Sequence, residues 1–339
     1  MKQTHIIQAF TQLGQYLQQQ LENATSQPTS DLQVILQQAQ QKNPWFTTEN
    51  THFALQQWAQ LLQQDKLQDF VSKYNYATEP KKVGIIMAGN IPLVGWHDLL
   101  CVLLSGHIAY IKLSSSDNVI IPRLCEKLIQ IEPQLEQRMQ FVPQIKDYDA
   151  VIGTGSSNTE RTLREYFSHV PLLLRGSRTS VAIITDDTTD AELQQLGDDV
   201  MRYFGLGCRN ITQLFLPENF HLDRLFAAFY PWKDIATHFK YTNNYDYNRA
   251  IGLMNHENLY DNGFLLLRES QALFSPVGVL NYAYYKDTEQ IHQFLAEHAN
   301  SVQCVVGDQQ DQIAFGSTQT PDLQQFADGI DTMQFLENL

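Results

Sequence analysis

The stretch formed by residues 83–113, VGIIMAGNIPLVGWHDLLCVLLSGHIAYIKL, determines the expected fold. It starts with a short apolar run at 83–87 and ends with another at 107–113, and each run fits a buried strand. Between them, residues 93–105 place apolar side chains at helical spacing, and Gly106 is positioned to cap that helix. A strand, a helix and a strand within about 30 residues predict a βαβ unit with parallel strands and a right-handed crossover.

A membrane span is the alternative for this stretch, because residues 83–106 are apolar and about long enough to cross a bilayer. Polar side chains and helix-breaking residues interrupt the run: Gly89, Asn90, Pro92, Gly95, His97 and Asp98. Burial inside a soluble fold is therefore the better interpretation.

The rest of the chain continues this alternation. Further strands are predicted at 140–144, 149–152, 171–174, 181–185, 213–216, 264–267, 277–282 and 302–306, and further helices at 119–131, 157–167, 191–204, 222–239, 244–253 and 288–299. Alternation this regular predicts α/β architecture. Ahead of it, residues 1–64 are Gln-rich with apolar side chains at helical spacing, which predicts about three amphipathic helices packed on the main body.

Composition limits the classes of function. The chain has 339 residues, 43% of them hydrophobic, which predicts a sizeable core and two domains, or one domain with additions. A formal net charge of −14 repels nucleic acid and anionic membranes, so neither is expected as a partner. The four cysteines lack the close spacing of a metal site, and residues 1–23 lack the apolar core of a secretory signal. Reduced thiols, no metal and a cytoplasmic location are expected.

One cysteine stands in a setting that favours chemistry. Cys208 lies between Gly207 and Arg209 in FGLGCRNITQLFLP, residues 204–217. A glycine-rich turn lets a substrate carbonyl approach the sulfur, and a neighbouring cation favours the thiolate, which is the form that attacks. The alternative is a small core residue, the usual role of a cysteine outside a disulfide.

A second turn has the layout of a phosphate site. Residues 153–157, GTGSS, directly follow a predicted strand, and Ser157 with Glu160 predicts a capping box that opens the next helix. Small residues at a helix N-terminus suit a phosphate group, although many α/β proteins have such turns without a ligand.

A series of short motifs, in one order, resembles the aldehyde dehydrogenases. Asn90-Ile91-Pro92 resembles their Asn-Phe-Pro turn, residues 111–114 their Lys-Pro-Ser-Glu segment, and residues 153–156 their Phe-Thr-Gly-Ser turn. Residues 175–184 resemble their Leu-Gly-Gly-Lys run with the strand that follows, Cys208 falls at the place of their nucleophile, and residues 274–277 resemble Phe-Gly-Pro-Val. From residue 83 onward, the chain is similar to the branch of acyl-CoA reductases related to the LuxC fatty-acid reductase of bacterial luminescence.

The resemblance implies an aldehyde-dehydrogenase-like α/β fold of two lobes, a Rossmann-like cofactor domain and an α/β catalytic domain, with the active site between them. The expected division is an N-terminal helical segment at 1–80, the Rossmann-like cofactor-binding domain at 81–190, the catalytic domain at 191–306, and a C-terminal segment at 307–339 that returns to the cofactor domain. Family members also oligomerise through a hairpin-like arm. A homo-oligomer is thus a possible outcome, with the arm reduced or absent in this short chain.

The resemblance also implies a reaction, the reduction of an acyl-CoA thioester to an aldehyde. Cys208 would attack the thioester and form an acyl-enzyme, and the Asn90 side chain and the Cys208 backbone N–H would stabilise the oxyanion. Lys112 would hold the ribose hydroxyls. NADPH is the expected cofactor, with NADH possible, because Ser115 stands where NAD-specific relatives have Glu. The implied cofactor-binding residues are Ala88, Gly89, Lys112, Ser114, Ser115, Gly153, Thr154, Gly155 and Ser156.

Two departures from the family pattern separate reduction of a thioester from oxidation to an acid. The glutamate that activates water in hydrolytic members is replaced by Leu174, or by Leu173 if the match slips by one residue, and neither is a base. The second family glutamate falls near Ala272, which leaves the usual ribose anchoring in doubt. The alternatives are an aldehyde or acyl-phosphate enzyme on the same fold, or a degenerate, non-catalytic protein that binds the cofactor.

Further side chains are candidates for supporting roles. His169 could donate a proton, although a lone histidine beside an apolar strand is more often structural. Guanidinium groups suit phosphate, so Arg175, Arg178 and Arg209 could bind the phosphates of CoA or the 2′-phosphate of the cofactor, with surface ion pairing as the alternative.

Overall fold

The structure, a computed structural model, describes residues 1–26 and 31–339. These residues form two compact units: unit 1 contains Met1–Ser177 and Asp322–Leu339, and unit 2 contains Arg178–Pro321. Unit 2 is therefore inserted within the sequence of unit 1. The sequence also predicts which part of the chain binds the cofactor and which part carries the catalytic cysteine. That assignment of functions stays a prediction.

Unit 1 opens with four helices and continues as a βα alternation. Its elements are α1 Gln3–Ser26, α2 Asp31–Lys42, α3 Thr48–Leu61, α4 Gln64–Val71, β1 Lys82–Ile86, α5 Trp96–Leu104, β2 Ile108–Lys112, α6 Ile120–Ile131, a 3₁₀ helix Pro133–Arg138, β3 Met139–Phe141, β4 Ala150–Thr154, α7 Ser157–Tyr166 and β5 Leu172–Arg175. The predicted βαβ unit is confirmed, since β1 and β2 pair in parallel from Lys82 opposite Ile108 to Ile86 opposite Lys112.

The sheet of unit 1 has five strands in the order β3-β2-β1-β4-β5, and every pair is parallel. Chain order reverses at β1, the switch point where ligands bind in sheets of this type. Three successive residues of β1, Val83, Gly84 and Ile85, are buried, as expected when helices cover both faces of a parallel sheet. The N-terminal helices take part in this covering, because α1 packs on α3, α5 and α6.

Two helix starts in unit 1 differ from the sequence prediction. The helix predicted to begin at residue 93 begins at Trp96, because Leu93 has a positive φ of 64° that no helical residue adopts. The capping box predicted from Ser157 is wrong: Ser156 is the N-cap of α7, and its hydroxyl accepts a hydrogen bond from the Thr159 amide at 3.3 Å. The cap serves the same helix from one residue earlier.

Unit 2 contains a second, six-stranded sheet. Its elements are β6 Thr179–Ile183, α8 Asp190–Met201, a 3₁₀ helix Arg202–Gly205, β7 Ile211–Pro217, α9 Asp223–Phe229, a 3₁₀ helix Tyr230–Thr237, α10 Phe239–Met254, β8 Leu259–Asp261, β9 Leu266–Glu269, β10 Val279–Tyr285, α11 Thr288–Glu297 and β11 Val302–Val306. The strand order is β11-β6-β7-β10-β9-β8, and only the β8–β9 pair is antiparallel.

Helix ends in unit 2 also depart from the prediction. The helix predicted over 191–204 ends at Met201, because Tyr203 and Phe204 take positive φ values of 55° and 60°. The helix predicted over 222–239 divides at Tyr230, where Pro231 enters the first turn of a 3₁₀ helix. The short edge strand β8 was not predicted.

Residues 322–339 complete unit 1 with a 3₁₀ helix, Ala327–Gly329, and with α12, Thr332–Glu337. The buried Arg175 at the end of β5 donates to both carboxylate oxygens of Asp98 on α5, at 2.8 and 2.7 Å, and to the Thr332 hydroxyl at 2.7 Å. His107 forms a further bond, at 3.0 Å, with the Leu336 carbonyl. These buried contacts hold α12 against α5 and the sheet. None of the helices in the described residues is long and apolar enough to cross a membrane.

Candidate active site

Three adjacent strands of unit 1 bring all nine predicted cofactor-binding residues to one edge. The strands β2, β1 and β4 are neighbours and parallel, so their carboxyl ends meet at the same side of the sheet. Ala88, Gly89 and Asn90 follow β1, Lys112 ends β2 with Ser114 and Ser115 beyond it, and Gly153–Ser156 ends and follows β4. We call this group of turns the cofactor edge.

The turns after β1 and β2 pack directly on one another. Gly89 lies so close to the second turn that a Cβ at this position would stand 2.6 Å from the Ser114 hydroxyl oxygen and 3.1 Å from the Asp117 amide nitrogen. The Ser114 hydroxyl is itself fixed, because it accepts a hydrogen bond from the Ser116 amide at 3.2 Å. Glycine is therefore required at position 89 for the two turns to approach.

The turn after β4 leads into α7 through a small residue and a cap. Gly155 donates its backbone N–H to the Arg175 carbonyl at 3.1 Å, and a Cβ there would stand 2.6 Å from a methyl group of Thr159. Ser156 then caps the ten-residue helix. Backbone amides at a helix N-terminus favour a phosphate, so the layout proposed from the sequence is present.

Taken together, the residues of the cofactor edge fit a dinucleotide. The edge lies at the switch point of a five-stranded parallel sheet, and two glycines, Gly89 and Gly155, leave room where side chains would stand. Ser115 is exposed, and so is available to a ribose substituent. Asp117, which could have supplied the acidic group that Ser115 lacks, is buried and accepts the Leu93 amide at 3.0 Å.

The nucleophile turn, residues 202–210 of unit 2, has an unusual backbone. Three consecutive residues, Tyr203, Phe204 and Gly205, have positive φ values of 55°, 60° and 74°. Such a run is strained for the two aromatic residues, and it persists only where the surroundings over-determine it. This backbone conformation reverses the direction of the chain after α8. The chain then reaches Cys208, which is half-buried.

Asn210 holds the nucleophile turn together. It is fully buried, and its Oδ1 accepts the Gly207 N–H at 2.8 Å. Its Nδ2 donates to the carbonyls of Asp199 and Arg202, both at 2.9 Å. One side chain thus caps the end of α8 and fixes the residue directly before Cys208.

Ser180 of β6 anchors the other side of this turn. Its hydroxyl donates to the Cys208 carbonyl at 3.1 Å and accepts the Cys304 N–H, also at 3.1 Å. Arg209 donates to the Cys304 sulfur at 3.3 Å, so β11 contacts the turn as well. Neither Asn210 nor Ser180 was predicted from the sequence as a site residue. The position of Asn210, two residues after Cys208, is a signal that could have identified it. The sequence around Ser180 contains no comparable signal.

The four cysteines differ in accessibility. Cys101, Cys125 and Cys304 are buried, and burial raises the pKa of each of these thiols, for Cys304 despite the lowering effect of Arg209. Cys208 is the only one of the four that is not buried. Attack requires a reachable sulfur, so the geometry favours Cys208 as the nucleophile.

Residues 272–276, within which the Phe-Gly-Pro-like motif begins, are pinned by buried polar side chains of unit 2. Thr212 of β7 donates to the Leu273 carbonyl at 2.7 Å, and Asn281 of β10 donates to the carbonyls of Ala272 and Phe274 at 2.7 and 3.1 Å. Arg268 of β9 orients Asn281 by donating to its Oδ1 at 3.0 Å. The central strands therefore determine where this loop stands.

Two cavities of different character occur in unit 2. A small apolar crevice of about 20 Å³, with room for about one water molecule, lies against the nucleophile turn and is lined in part by Phe204, Gly205 and Thr212. A larger cavity of about 580 Å³ lies at the carboxyl ends of β6 and β11, and its lining includes Asp187, Glu192 and Asp308. Because Cys208 precedes β7, the larger cavity is at the opposite edge of the sheet and is not the predicted site.

The structure shows other contacts for three side chains that were predicted to donate a proton or to bind phosphate. The proposal that Arg175 binds phosphate is wrong, because its guanidinium is buried in the ion pair with Asp98. His169 precedes β5, at the amino edge of the sheet, and bonds the Tyr148 hydroxyl at 3.1 Å, so it lies away from the cofactor edge. Arg178 donates to the Val302 carbonyl at 3.2 Å.

Leu173 and Leu174 are buried in β5, and neither can act as a base. Asn90 belongs to unit 1 and Cys208 to unit 2, so the oxyanion pair remains a prediction. No group of three or more His, Cys, Asp or Glu side chains suited to a metal is found within residues 1–26 and 31–339.

Comparison with known protein families supports the predicted resemblance to acyl-CoA reductases. The model of the family described as acyl-CoA reductase (LuxC) matches residues 17–223. A search of curated proteins finds no match.

The fold is similar to solved aldehyde dehydrogenases. Aldehyde dehydrogenase 21 from Physcomitrella patens, in complex with the product succinate, is 11% identical with a TM-score of 0.69, covering 100% of this chain and 84% of that one. KauB from Pseudomonas aeruginosa is 15% identical with a TM-score of 0.65, and a mutant of the P. syringae indole-3-acetaldehyde dehydrogenase AldA, in complex with NAD+ and IAA, is 14% identical with a TM-score of 0.65. Each of the latter two covers 90% of this chain and 72% of its own. The predicted aldehyde-dehydrogenase-like α/β fold is confirmed.

Proposed function

Because the chain belongs to the LuxC acyl-CoA reductase family, we propose that it reduces an acyl-CoA thioester to an aldehyde, with NADPH as the reductant and Cys208 as the nucleophile. The observation that carries the proposal is the construction of the nucleophile turn. Four polar contacts from Asn210 and Ser180 hold a strained backbone around Cys208, the one cysteine of the four that is not buried.

In the first half of the reaction, the Cys208 thiolate attacks the thioester carbonyl carbon. The carbonyl oxygen takes up negative charge, and we assign its stabilisation to the Asn90 amide and the Cys208 N–H. The C–S bond to CoA then breaks, CoA leaves as a thiol after taking a proton, and the acyl group stays on Cys208. The turn supplies a rigid backbone for this step, since Asn210 and Ser180 fix both sides of Cys208.

In the second half, the acyl-enzyme is reduced and released. When bound at the cofactor edge, the nicotinamide supplies the hydride that converts the acyl carbon to the aldehyde level. The resulting thiohemiacetal then collapses, so that its C–S bond breaks and Cys208 returns as a thiolate. We assign the pyrophosphate to the turns at Gly89, Gly155 and Ser156, where two glycines leave room and a serine caps a helix, and the ribose to Lys112 at the end of β2.

The residues at the family's base position favour reduction over hydrolysis. Leu173 and Leu174 replace the water-activating carboxylate, and a general base typically contributes about 10²–10⁴-fold. Without one, the acyl group on Cys208 should persist until CoA or NADPH removes it. The same argument makes oxidation of an aldehyde to a free acid the less favoured direction.

The test is the fate of the acyl group. Incubating the protein with acyl-CoA alone should add one acyl mass to the intact chain, located on Cys208. Adding NADPH should discharge it as aldehyde, and adding CoA should regenerate the thioester. Cys208→Ala should give no adduct, whereas Cys125→Ala, a matched control in α6, should give the wild-type result.

Three outcomes would contradict the proposal. Rapid decay of the adduct to free acid would show that water is activated, and would favour a hydrolytic aldehyde dehydrogenase instead. An adduct with an acyl phosphate but none with an acyl-CoA would instead support the acyl-phosphate alternative. No adduct and no cofactor binding would support a non-catalytic protein.

A further inference from the structure

Asp117 stands between the two turns of the cofactor edge that follow β1 and β2. Its Oδ2 accepts the backbone N–H of Leu93 at 3.0 Å, and its own amide donates to the Ser114 carbonyl at 3.2 Å. The side chain is only 2% exposed. Its second oxygen, Oδ1, is buried without a hydrogen-bond partner among the described residues.

These features are unfavourable for stability. A buried carboxylate with one oxygen left without a partner carries a desolvation penalty, and Leu93 is held in a left-handed conformation that leucine rarely adopts. A neutral or apolar residue would suit the interior better at this position. Unfavourable local features of this kind are concentrated at functional sites, where the geometry itself is needed.

We propose that Asp117 is a positioning residue: its carboxylate holds the turn that carries Asn90 in register with the Ser114–Ser116 turn, and so aims the Asn90 amide at the substrate carbonyl. The proposal rests on the reductase function proposed above. Asp117 does not touch the reacting atoms. It acts through the Leu93 amide, three residues beyond Asn90.

The same link extends to the N-terminal helices. Asn43, buried between α2 and α3, donates from Nδ2 to the Ser116 carbonyl at 3.2 Å, and its Oδ1 accepts the Trp45 N–H at 3.2 Å. The turn on which Asp117 depends is therefore braced from outside the sheet. This gives the helical segment a role in shaping the cofactor edge, beyond covering one face.

The protonation state of Asp117 provides a readout. Burial, the larger effect, raises the pKa of this carboxyl to about 6, while the Leu93 amide lowers it. On the flanking helices, Asp98 of α5 is paired with Arg175 and Arg123 of α6 with Glu126, and on β2 the backbone of Lys112 accepts the Met87 amide. A carboxylate accepts the Leu93 N–H more strongly than a carboxyl group does. The rate should therefore decline as the pH falls through about 6.

The experiment compares Asp117→Asn and Asp117→Ala with Asp149→Asn. Asp149 is a matched control, because its carboxylate accepts the Lys82 amide at 2.7 Å at the opposite edge of the same sheet. Four measurements are made on each variant. They are hydrogen exchange at the Leu93 amide, kcat and KM with acyl-CoA at saturating NADPH, the NADPH dissociation constant, and kcat from pH 5 to 8. Asp117→Asn keeps the volume and serves if the alanine variant does not fold.

Asp117→Ala should speed exchange at Leu93 by about tenfold or more and lower kcat by about 10- to 100-fold, less than the loss of an oxyanion donor itself. KM and the NADPH dissociation constant should change less than about threefold, since oxyanion stabilisation acts on the transition state. Asp117→Asn should lose the decline in kcat near pH 6. Asp149→Asn should match the wild type in all these measurements.

A wild-type kcat with an unchanged pH profile in Asp117→Asn, together with wild-type exchange at Leu93 in both variants, would overturn the inference. Equal losses in Asp149→Asn would do the same, because they would indicate general destabilisation. A wild-type protein that turns over no acyl-CoA would overturn the proposed function, and with it the catalytic role of Asp117. In that case the exchange measurement still decides whether Asp117 holds the turn.

Discussion

The cofactor edge of unit 1 and the nucleophile turn of unit 2 are built by different means. At the cofactor edge, each turn begins directly where a strand ends, so adjacent parallel strands alone bring the turns together. The nucleophile turn instead precedes its strand, β7, and contains three consecutive residues with positive φ. It depends on two buried side chains, Asn210 and Ser180. Ser180 lies 28 residues before Cys208, whose carbonyl it binds. The topology of the sheet brings the predicted cofactor-binding turns together, whereas the turn around Cys208 needs dedicated anchors.

Cys208→Ala is expected to give the largest difference between the two regions in their effect on function. This variant should abolish aldehyde formation, because the attacking sulfur is gone, and should leave NADPH affinity within about twofold, because the cofactor edge is untouched. NADPH oxidation with several acyl-CoAs and a fluorescence titration of NADPH measure the two effects. Retained turnover would contradict covalent catalysis.

Thiol labelling separates Cys208 from the other cysteines. Iodoacetamide should modify Cys208 on the order of 10² times faster than Cys101, Cys125 or Cys304, which are buried and whose raised pKa values leave little thiolate. Peptide mass spectrometry after short exposures gives the order. Comparable rates at Cys208 and Cys304 would show that the turn does not distinguish them.

The anchors of the nucleophile turn are tested by Asn210→Ala. Loss of its amide leaves the Gly207 N–H and two carbonyls without their partner, and each buried group left so costs about 1–3 kcal/mol. We expect a large fall in denaturation midpoint and a loss of Cys208 labelling selectivity. Asn338→Ala, which removes one exposed bond to the Gln334 carbonyl, is the control and should change little.

The cofactor edge should show its own dependence on pH. Because burial raises the folded-state pKa of Asp117 from 3.8 to about 6, the folded protein binds the proton more tightly than the unfolded chain does. This group therefore lowers stability as the pH rises from about 4 to about 6, by at most about 3 kcal/mol. Asp117→Asn should be the more stable protein at pH 7 and lose that advantage near pH 4, as urea denaturation at both pH values would reveal. An advantage that does not depend on pH would contradict the titration.

The smallest effect is expected at Ser115. Ser115→Glu should weaken NADPH binding by about tenfold relative to NADH, since a carboxylate repels the 2′-phosphate at a partly screened surface. Ser115→Gln has a similar shape without the charge and should leave the ratio of the two affinities close to wild type. Cys208 labelling should be unchanged in both variants. A strong preference of the wild type for NADH would contradict the argument from Ser115.

Particular residues show why some of this was predictable from the sequence. The ends of β1, β2 and β4 were predicted to within two residues, because the apolar runs stop at Met87, Leu113 and Ile152 ahead of turns that contain glycine, serine or asparagine, and parallel pairing then fixes their common edge. Asp117 could be considered only as an acidic group near the ribose, since the sequence does not show that it is buried. Arg175 was assigned to phosphate because its partners, Asp98 and Thr332, are 77 and 157 residues away. Periodicity identifies elements, but long-range polar pairs depend on the finished packing.

The insertion of unit 2 within unit 1 has a consequence for the order in which the protein is made. Residues 178–321 form a contiguous unit that can fold as soon as it leaves the ribosome, whereas unit 1 needs α12 from a later part of the chain. Until Thr332 is synthesised, Arg175 lacks that hydroxyl, and Tyr74 lacks Asp331, to which its own hydroxyl donates at 2.6 Å. During synthesis we therefore expect unit 2 to become protease-resistant first, and unit 1 to complete these contacts only after residues 331 and 332 have left the ribosome.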